Sequence, residues 1–379
     1  MSCIICDVPI DESNDSGEHV IANAIGGRLK VRGAVCRICN PNAGHRWDAA
    51  LADQLHPLSI MFAIKRERGE VPALRVVTVE GDPLYMHSGG SLHLVPSAPS
   101  IYQEGEQTML RLQAPTVEKV REVLETLKER RYPKLDVEKE LATAQMQQKF
   151  GSVIKFELGL GGGKAGRAMV KSALVLAVAN GVDAAACRNA ISYLKDRAEV
   201  PPHGFYFERD PIANRPDRTP LHCVAVSSRA NEGQLLAYLE FYGVHRVVVC
   251  LADQYEGPEI HCSYAVNPVT GDELDIEFVI GLTRRDVQRC YDGQCMPKGA
   301  QEAAFNKVMP LAMEINRKRA WRDAVKRAIK HGWDNCGAQP GQLLTAEHMQ
   351  TISRLAMDHL RPFLARYLPR RPGVSRPAG

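Results

Sequence analysis

The chain has 379 residues, 45% hydrophobic and 24% charged, with 48 Lys and Arg against 44 Asp and Glu. That length suffices for two or three domains of roughly 100–200 residues, and the composition excludes a disordered, collagen-like or disulfide-scaffold protein. A formal charge of +4 names no partner, and neither a membrane-length apolar stretch nor a signal-peptide pattern is present, so a soluble, cytoplasmic protein is expected.

Four of the eleven cysteines fall in two CxxC pairs, Cys3/Cys6 and Cys36/Cys39. Two such knuckles supply the closed tetrahedral thiolate set of structural Zn2+. A redox CxxC would need a strand-to-helix setting that the extreme N-terminus does not readily offer. The pairs are separated by 29 residues, more than the roughly 15–20 of a simple ribbon, so something folded lies between them. Gly26-Gly27 marks a turn between two strand-like pieces, His19–Ile25 and Leu29–Val35, and a helix-compatible run from Ala49 to Leu55 follows the second knuckle. The plan is strand, turn, strand, helix, with zinc stapling entrance to exit.

Cys3/Cys6, Glu18-His19, Gly26-Gly27 and Cys36-x-x-Cys39-Asn40, in that order, resemble the HNH endonuclease family and its ββα-metal fold. The resemblance covers Cys3–Leu55. It implies a phosphodiester hydrolase acting on nucleic acid, with DNA the preferred substrate, often in phage defence or a mobile element. It also implies His19 as the general base, whose ordinary pKa near 6.5 leaves neutral imidazole at cellular pH. Glu18 and Asn40 match the positions of the family's ligands to a catalytic Mg2+ or Mn2+, hard ions that oxygen donors suit. His45 and Asp48 remain alternatives for the third motif position. Because neighbours on a regular strand face opposite ways, Glu18 and His19 reach one phosphate only if the strand bends near Gly17. The family's middle asparagine falls where Gly33 stands, which favours an alternative: a zinc-knuckle nucleic-acid-binding protein whose nuclease motif has decayed. Arg28, Lys30 and Arg32 alternate along the second strand and suit phosphate contacts. Cutting both strands implies two centres, as a homodimer would supply.

Further along, helix-compatible residues 46–70 break near Pro57 and offer Trp47, Leu51, Leu55, Leu58 and Met61-Phe62 to a core. Strands are expected at Leu74–Val79, Leu92–Val95 and Met109–Leu112, and an amphipathic helix across Val117–Leu127. Gly159–Ala165 lacks phosphate-loop spacing and reads as a turn into a helix over Lys164–Asn180, with a second helix to Lys195. A Pro- and Arg-rich connector covers 197–220. Leu221–Ser227, Leu235–Tyr242 and Arg246–Leu251 are apolar strands, Val247–Leu251 buried on both faces; His261–Val266 and Glu273–Ile280 form a hairpin. Cys187, Cys223 and Cys250 read as small buried hydrophobes, and His222, His245 and His261 as core or surface histidines. From Met313 onward 13 Lys and Arg face 5 Asp and Glu, with Trp321, Val325 and Ile329 an apolar core stripe, and Pro369–Gly379 has the composition of a disordered tail. The fold class is therefore α+β: a zinc-stapled nuclease-like unit over 1–70, an α+β region over 71–295 and a helical, basic region over 296–379. A nucleotide-gated nuclease is a third reading, for which no pocket is identifiable from sequence.

Overall fold

The computed structural model describes residues 2–365 except 68, 97–98, 106, 115, 146–152, 156–157 and 340, so the Pro369–Gly379 tail lies outside the described residues. The chain divides into two compact units, Met1–Ala312 and Met313–Gly379.

The first unit opens with β1 (Glu18–His19), β2 (Lys30–Val31), α1 (Cys39–Ala43), one π-helical turn (Gly44–Asp48), α2 (Ala49–Gln54) and α3 (His56–Met61). It continues through β3 (Leu74–Thr78), β4 (Pro83–Met86), β5 (Leu92–Leu94), β6 (Ser100–Glu104), β7 (Gln107–Arg111), α4 (Val117–Arg130), α5 (Val137–Thr143) and β8 (Ile154–Lys155). Next come α6 (Gly163–Ala179), α7 (Arg188–Leu194), β9 (His203–Phe205), β10 (His222–Arg229), β11 (Gln234–Phe241), β12 (His245–Ala252), β13 (His261–Val266) and α8 (Arg284–Tyr291). The last helices are α9 (Ala300–Asp334) and α10 (Ala346–Leu364). Helices and antiparallel sheets both contribute, and the C-terminal part is helical, which makes the class α+β. No helix among the described residues is long and apolar enough to cross a membrane.

The centre of the first unit is an antiparallel sheet ordered β13-β10-β11-β12-β9. Cys223 and Ala225, Leu236 and Tyr238, Val248 and Cys250 point to one face, where Ile276, Phe278, Ile280 and α8's Val287 and Cys290 cover them. Strand alternation sends Val224, Val226, Val247 and Val249 to the other face, against which α6 packs. Both faces are covered, which is why these strands read as unbroken apolar runs rather than alternating ones. His222 and His245 are buried in this sheet, while His261 is exposed and stacks on Phe278.

Helix α6 is apolar almost all round because it is pressed from two sides: the sheet on one, the π turn and α2 on the other. Its N-terminal approach is clamped by Gln54, whose side-chain amide gives a hydrogen bond to Gly161 O (2.6 Å) and takes one from Gly161 N (3.0 Å). The glycine-rich run is thus tied to α2 at Gly161.

Three expectations are corrected. His19–Ile25 and Leu29–Val35 pair as strands only at Glu18↔Val31 and His19↔Lys30. The ladder ends at His19, Val20 to Ala22 are buried beyond it, and Asn23–Ile25 closes as a 3-10 turn. Glu273–Ile280 does not return along β13 beyond a single bridge at Glu273. Its backbone bonds instead go to the 211–214 loop, as in Ala213 N to Glu277 O (2.8 Å) and Val279 N to Pro211 O (2.9 Å). In the second unit, Trp321 and Ile329 are about half exposed, and Ala324 and Ala328 form the buried stripe of α9. Gly332 continues that small-residue face, and a Cβ there would meet Ile352 O of α10 at 2.6 Å. Close approach of the two helices, not bulk, selects the packed face.

Candidate functional site

The four knuckle sulfurs converge. All lie within 4.8 Å of one another, and Cys6 Sγ and Cys36 Sγ are 3.8 Å apart. Tetrahedral Zn–S bonds of about 2.3 Å place sulfurs about 3.8 Å apart, so this donor set fits zinc. Backbone N–H groups already face the sulfurs: Cys36 N donates to Cys3 Sγ (3.4 Å) and Cys39 N to Cys36 Sγ (3.5 Å). Despite the burial that opposes ionisation, the N–H groups of Cys39 and Ile38 bring the Cys36 thiol down to about 7.

The turn between the knuckles is fixed by glycine. A Cβ on Gly27 would stand 1.8 Å from Ile21 O, and Gly26 has φ of 104° with a hypothetical Cβ 2.8 Å from Pro268. The Gly-Gly pair therefore lets the turn close on itself and on the central region. That region grips it in two further places. Tyr264 Oη accepts from Arg28 N (2.9 Å) and Leu29 N (3.0 Å). Ile25 O can only accept, so His222 Nε2 carries a proton and donates to it (2.9 Å), while Nδ1 lies 3.2 Å from Tyr242 N and 3.1 Å from Leu221 O. Burial pushes the His222 imidazole down to about 4, keeping that neutral tautomer.

Glu18 and His19 point apart, and no bend at Gly17 brings them together. The Glu18 carboxylate is buried and holds the ammonium of Lys171 from α6, which also lies 2.6 Å from Asp48 Oδ2. Asp48 closes the π turn, the kind of local insertion that re-aims a helical side chain. Burial and the Asp48 charge raise the Glu18 pKa, with Lys171 opposing. Burial would lower that of Lys171, yet Asp48 and Glu18 together raise it above its ordinary value.

His19 is half-buried on the opposite side, where Nε2 lies 3.3 Å from Glu67 Oε1. Burial lowers the imidazole pKa from 6.5, Glu67 only partly restoring it. Lys30, 2.8 Å from Glu67 Oε2, is the main cause of that carboxyl's lowered pKa. Asn40 sits behind the strand: its Nδ2 donates to Ser16 Oγ (3.1 Å) and Gly17 O (3.2 Å). Gly33, in a left-handed conformation with φ of 81°, donates its N–H to Asp15 Oδ1 (2.8 Å). His45 is exposed on the π turn. The Arg28 guanidinium donates to Lys65 O (2.8 Å), and Arg32 is exposed, 3.5 Å from Asp15.

As a joint set of oxygen donors for a divalent ion, Glu18, Asn40 and Asp48 do not fit. Both carboxylates are engaged by one ammonium, and the Asn40 amide nitrogen is held by Ser16 and Gly17 at the strand entrance and not by that cluster. Among the described residues only the four cysteines gather as a metal-holding group. Sequence reasoning missed Lys171, Glu67, Tyr264 and the grip of His222. Lys171 alone carried a signal, as the only charged residue between Ala168 and Val178.

Residues 3–56 match the family model described as HNH endonuclease. No curated protein and no solved structure matches the chain.

Proposed function

We propose that the chain is an endonuclease that hydrolyses phosphodiester bonds in DNA, with His19 as the general base. The observation that carries this reading is the His19 ring on the cysteine-stapled frame, partly open to solvent, held by Glu67 and shifted toward its neutral form. A carboxylate accepts, so Nε2 keeps the proton and Nδ1 is the nitrogen that takes one from water. The resulting hydroxide attacks phosphorus and the 3′ oxygen leaves. Glu67 orients the ring and stabilises the imidazolium formed. Lys30 and Arg32, both exposed, face phosphate oxygens. Cys3, Cys6, Cys36 and Cys39 would hold Zn2+, which would brace the frame.

The test uses the zinc-loaded full chain on supercoiled plasmid, with Mg2+ or Mn2+ added. H19A is expected to lower cleavage by roughly 10²–10⁴-fold. The wild-type rate should rise with pH as the imidazole loses its proton, through a midpoint below 6.5. Cleavage by H19A at the wild-type rate would remove His19 from its role. The engagement of Glu18 and Asp48 by Lys171 favours a second reading, a zinc-knuckle nucleic-acid-binding protein without cleavage. That reading predicts retained zinc and DNA binding with no strand scission at any divalent-ion concentration.

A further inference from the structure

The buried cluster beneath His19 is assembled from two distant parts of the chain. Glu18 comes from β1 and Asp48 from the π turn, both inside the matched segment, whereas Lys171 comes from the middle of α6. The Lys171 side chain is 1% exposed, that of Glu18 2% and that of Asp48 19%. We propose that Lys171 is the resident cation of this centre, a positioning residue whose ammonium takes the place between Glu18 and Asp48 that a divalent ion would need. The ammonium is too deeply buried to touch a phosphate. Its effect passes through Glu18: with that carboxylate fixed inward, strand alternation turns the next side chain, His19, outward. Asp48 is fixed by the same ammonium, so β1 and the π turn are tied to one point on α6. Two carboxylates already sharing a seated cation have no net charge to offer Mn2+ or Mg2+ beyond a single negative one. A hard ion needs more oxygen donors than that.

The inference rests on geometry and not on the nuclease reading, and it is tested without cleavage. The full chain, loaded with zinc, is titrated with Mn2+ and free ion is followed by electron paramagnetic resonance. Wild type is expected to show no tight site that depends on these carboxylates. One Mn2+ per chain, lost in both E18Q and D48N, would overturn the proposal. K171M is expected to gain one Mn2+ site, roughly tenfold or more tighter than any wild-type binding, and K171M/D48N to lose it. A folded K171M that gains no site would also overturn it. Where K171M does not fold, the wild-type, E18Q and D48N titrations decide alone. An inactive nuclease leaves every arm readable, so the two readings fail separately.

Discussion

Acid should loosen the grip of the central sheet on the turn between the knuckles, and His222 sets the size of the effect. Its imidazole is fully buried, donates to Ile25 O and accepts from Tyr242 N, and is pushed down to about 4. In the unfolded chain the same ring titrates near 6.5. Between those values the unfolded state binds a proton that the folded state refuses, so stability is full above about 6.5 and falls as pH drops toward 4. About 2.5 units at 1.36 kcal/mol each give a ceiling of ~3.4 kcal/mol, of which about 2 kcal/mol is lost between pH 7 and pH 5. His203, down to about 4, and His245, down to about 3, add losses of the same sign, so the wild-type slope alone does not isolate His222. H222Q does. Its amide can still donate to Ile25 O but does not titrate, and the lost acceptor for Tyr242 N costs about 1–3 kcal/mol at every pH. Urea unfolding of both proteins at pH 7, 6 and 5 should show the wild type losing about 2 kcal/mol more than H222Q across that span. Parallel decline would refute the argument, because the ring would then not be held neutral by the fold.

Zinc removal with a chelator, or C36S, should open the N-terminal segment locally. Structural zinc is worth about 10–16 kcal/mol in small isolated domains. Amide exchange should accelerate across the two knuckles while β10, β11 and β12 stay protected, and unchanged protection at the knuckles would count against the zinc assignment. G27A should destabilise by about 1–3 kcal/mol or more in urea unfolding, because its Cβ would meet the Ile21 carbonyl at 1.8 Å and backbone has to move. A loss below about 0.5 kcal/mol would mean the turn is looser than described.

The knuckles were legible because metal ligation is local in spacing and demanding in chemistry: two thiols per turn, repeated once, converge on one point. The central strands were legible because a sheet covered on both faces leaves continuous apolar runs, seen in β11 and β12. The segment between the knuckles was misread for a related reason. Val20 and Ile21 look like strand residues, yet both are buried because a wall from elsewhere in the chain covers what would be the outer face. No local pattern encodes such a wall. Lys171 and Glu18 lie 153 residues apart, so their pairing was invisible, although a single charge in an apolar helix interior is a question that sequence alone can pose. Glu67 sits on an irregular stretch without periodicity, and nothing in its neighbours marks it. Trp321 misled for the opposite reason: side-chain volume suggested a core stripe, whereas α9 packs through Ala324 and Ala328.

The borrowed wall also explains why the centre is completed from outside the matched residues. Helices of five or six residues, such as α1, α2 and α3, do not hold themselves in water, and a segment of this size buries too little surface for a full core. The segment therefore closes its core on other elements: Phe62 stacks on Tyr242 with ring centres 5.2 Å apart, Ser59 Oγ meets Tyr242 Oη at 3.2 Å, and Gln54 clamps the entrance of α6. A charged group can be buried between the layers only where partners await it on the facing layer, and Glu18 with Asp48 are those partners for Lys171. The same contact that makes α6 a wall thus makes it part of the site. Any change that shifts α6 against the sheet must reach β1, and through β1 the ring of His19.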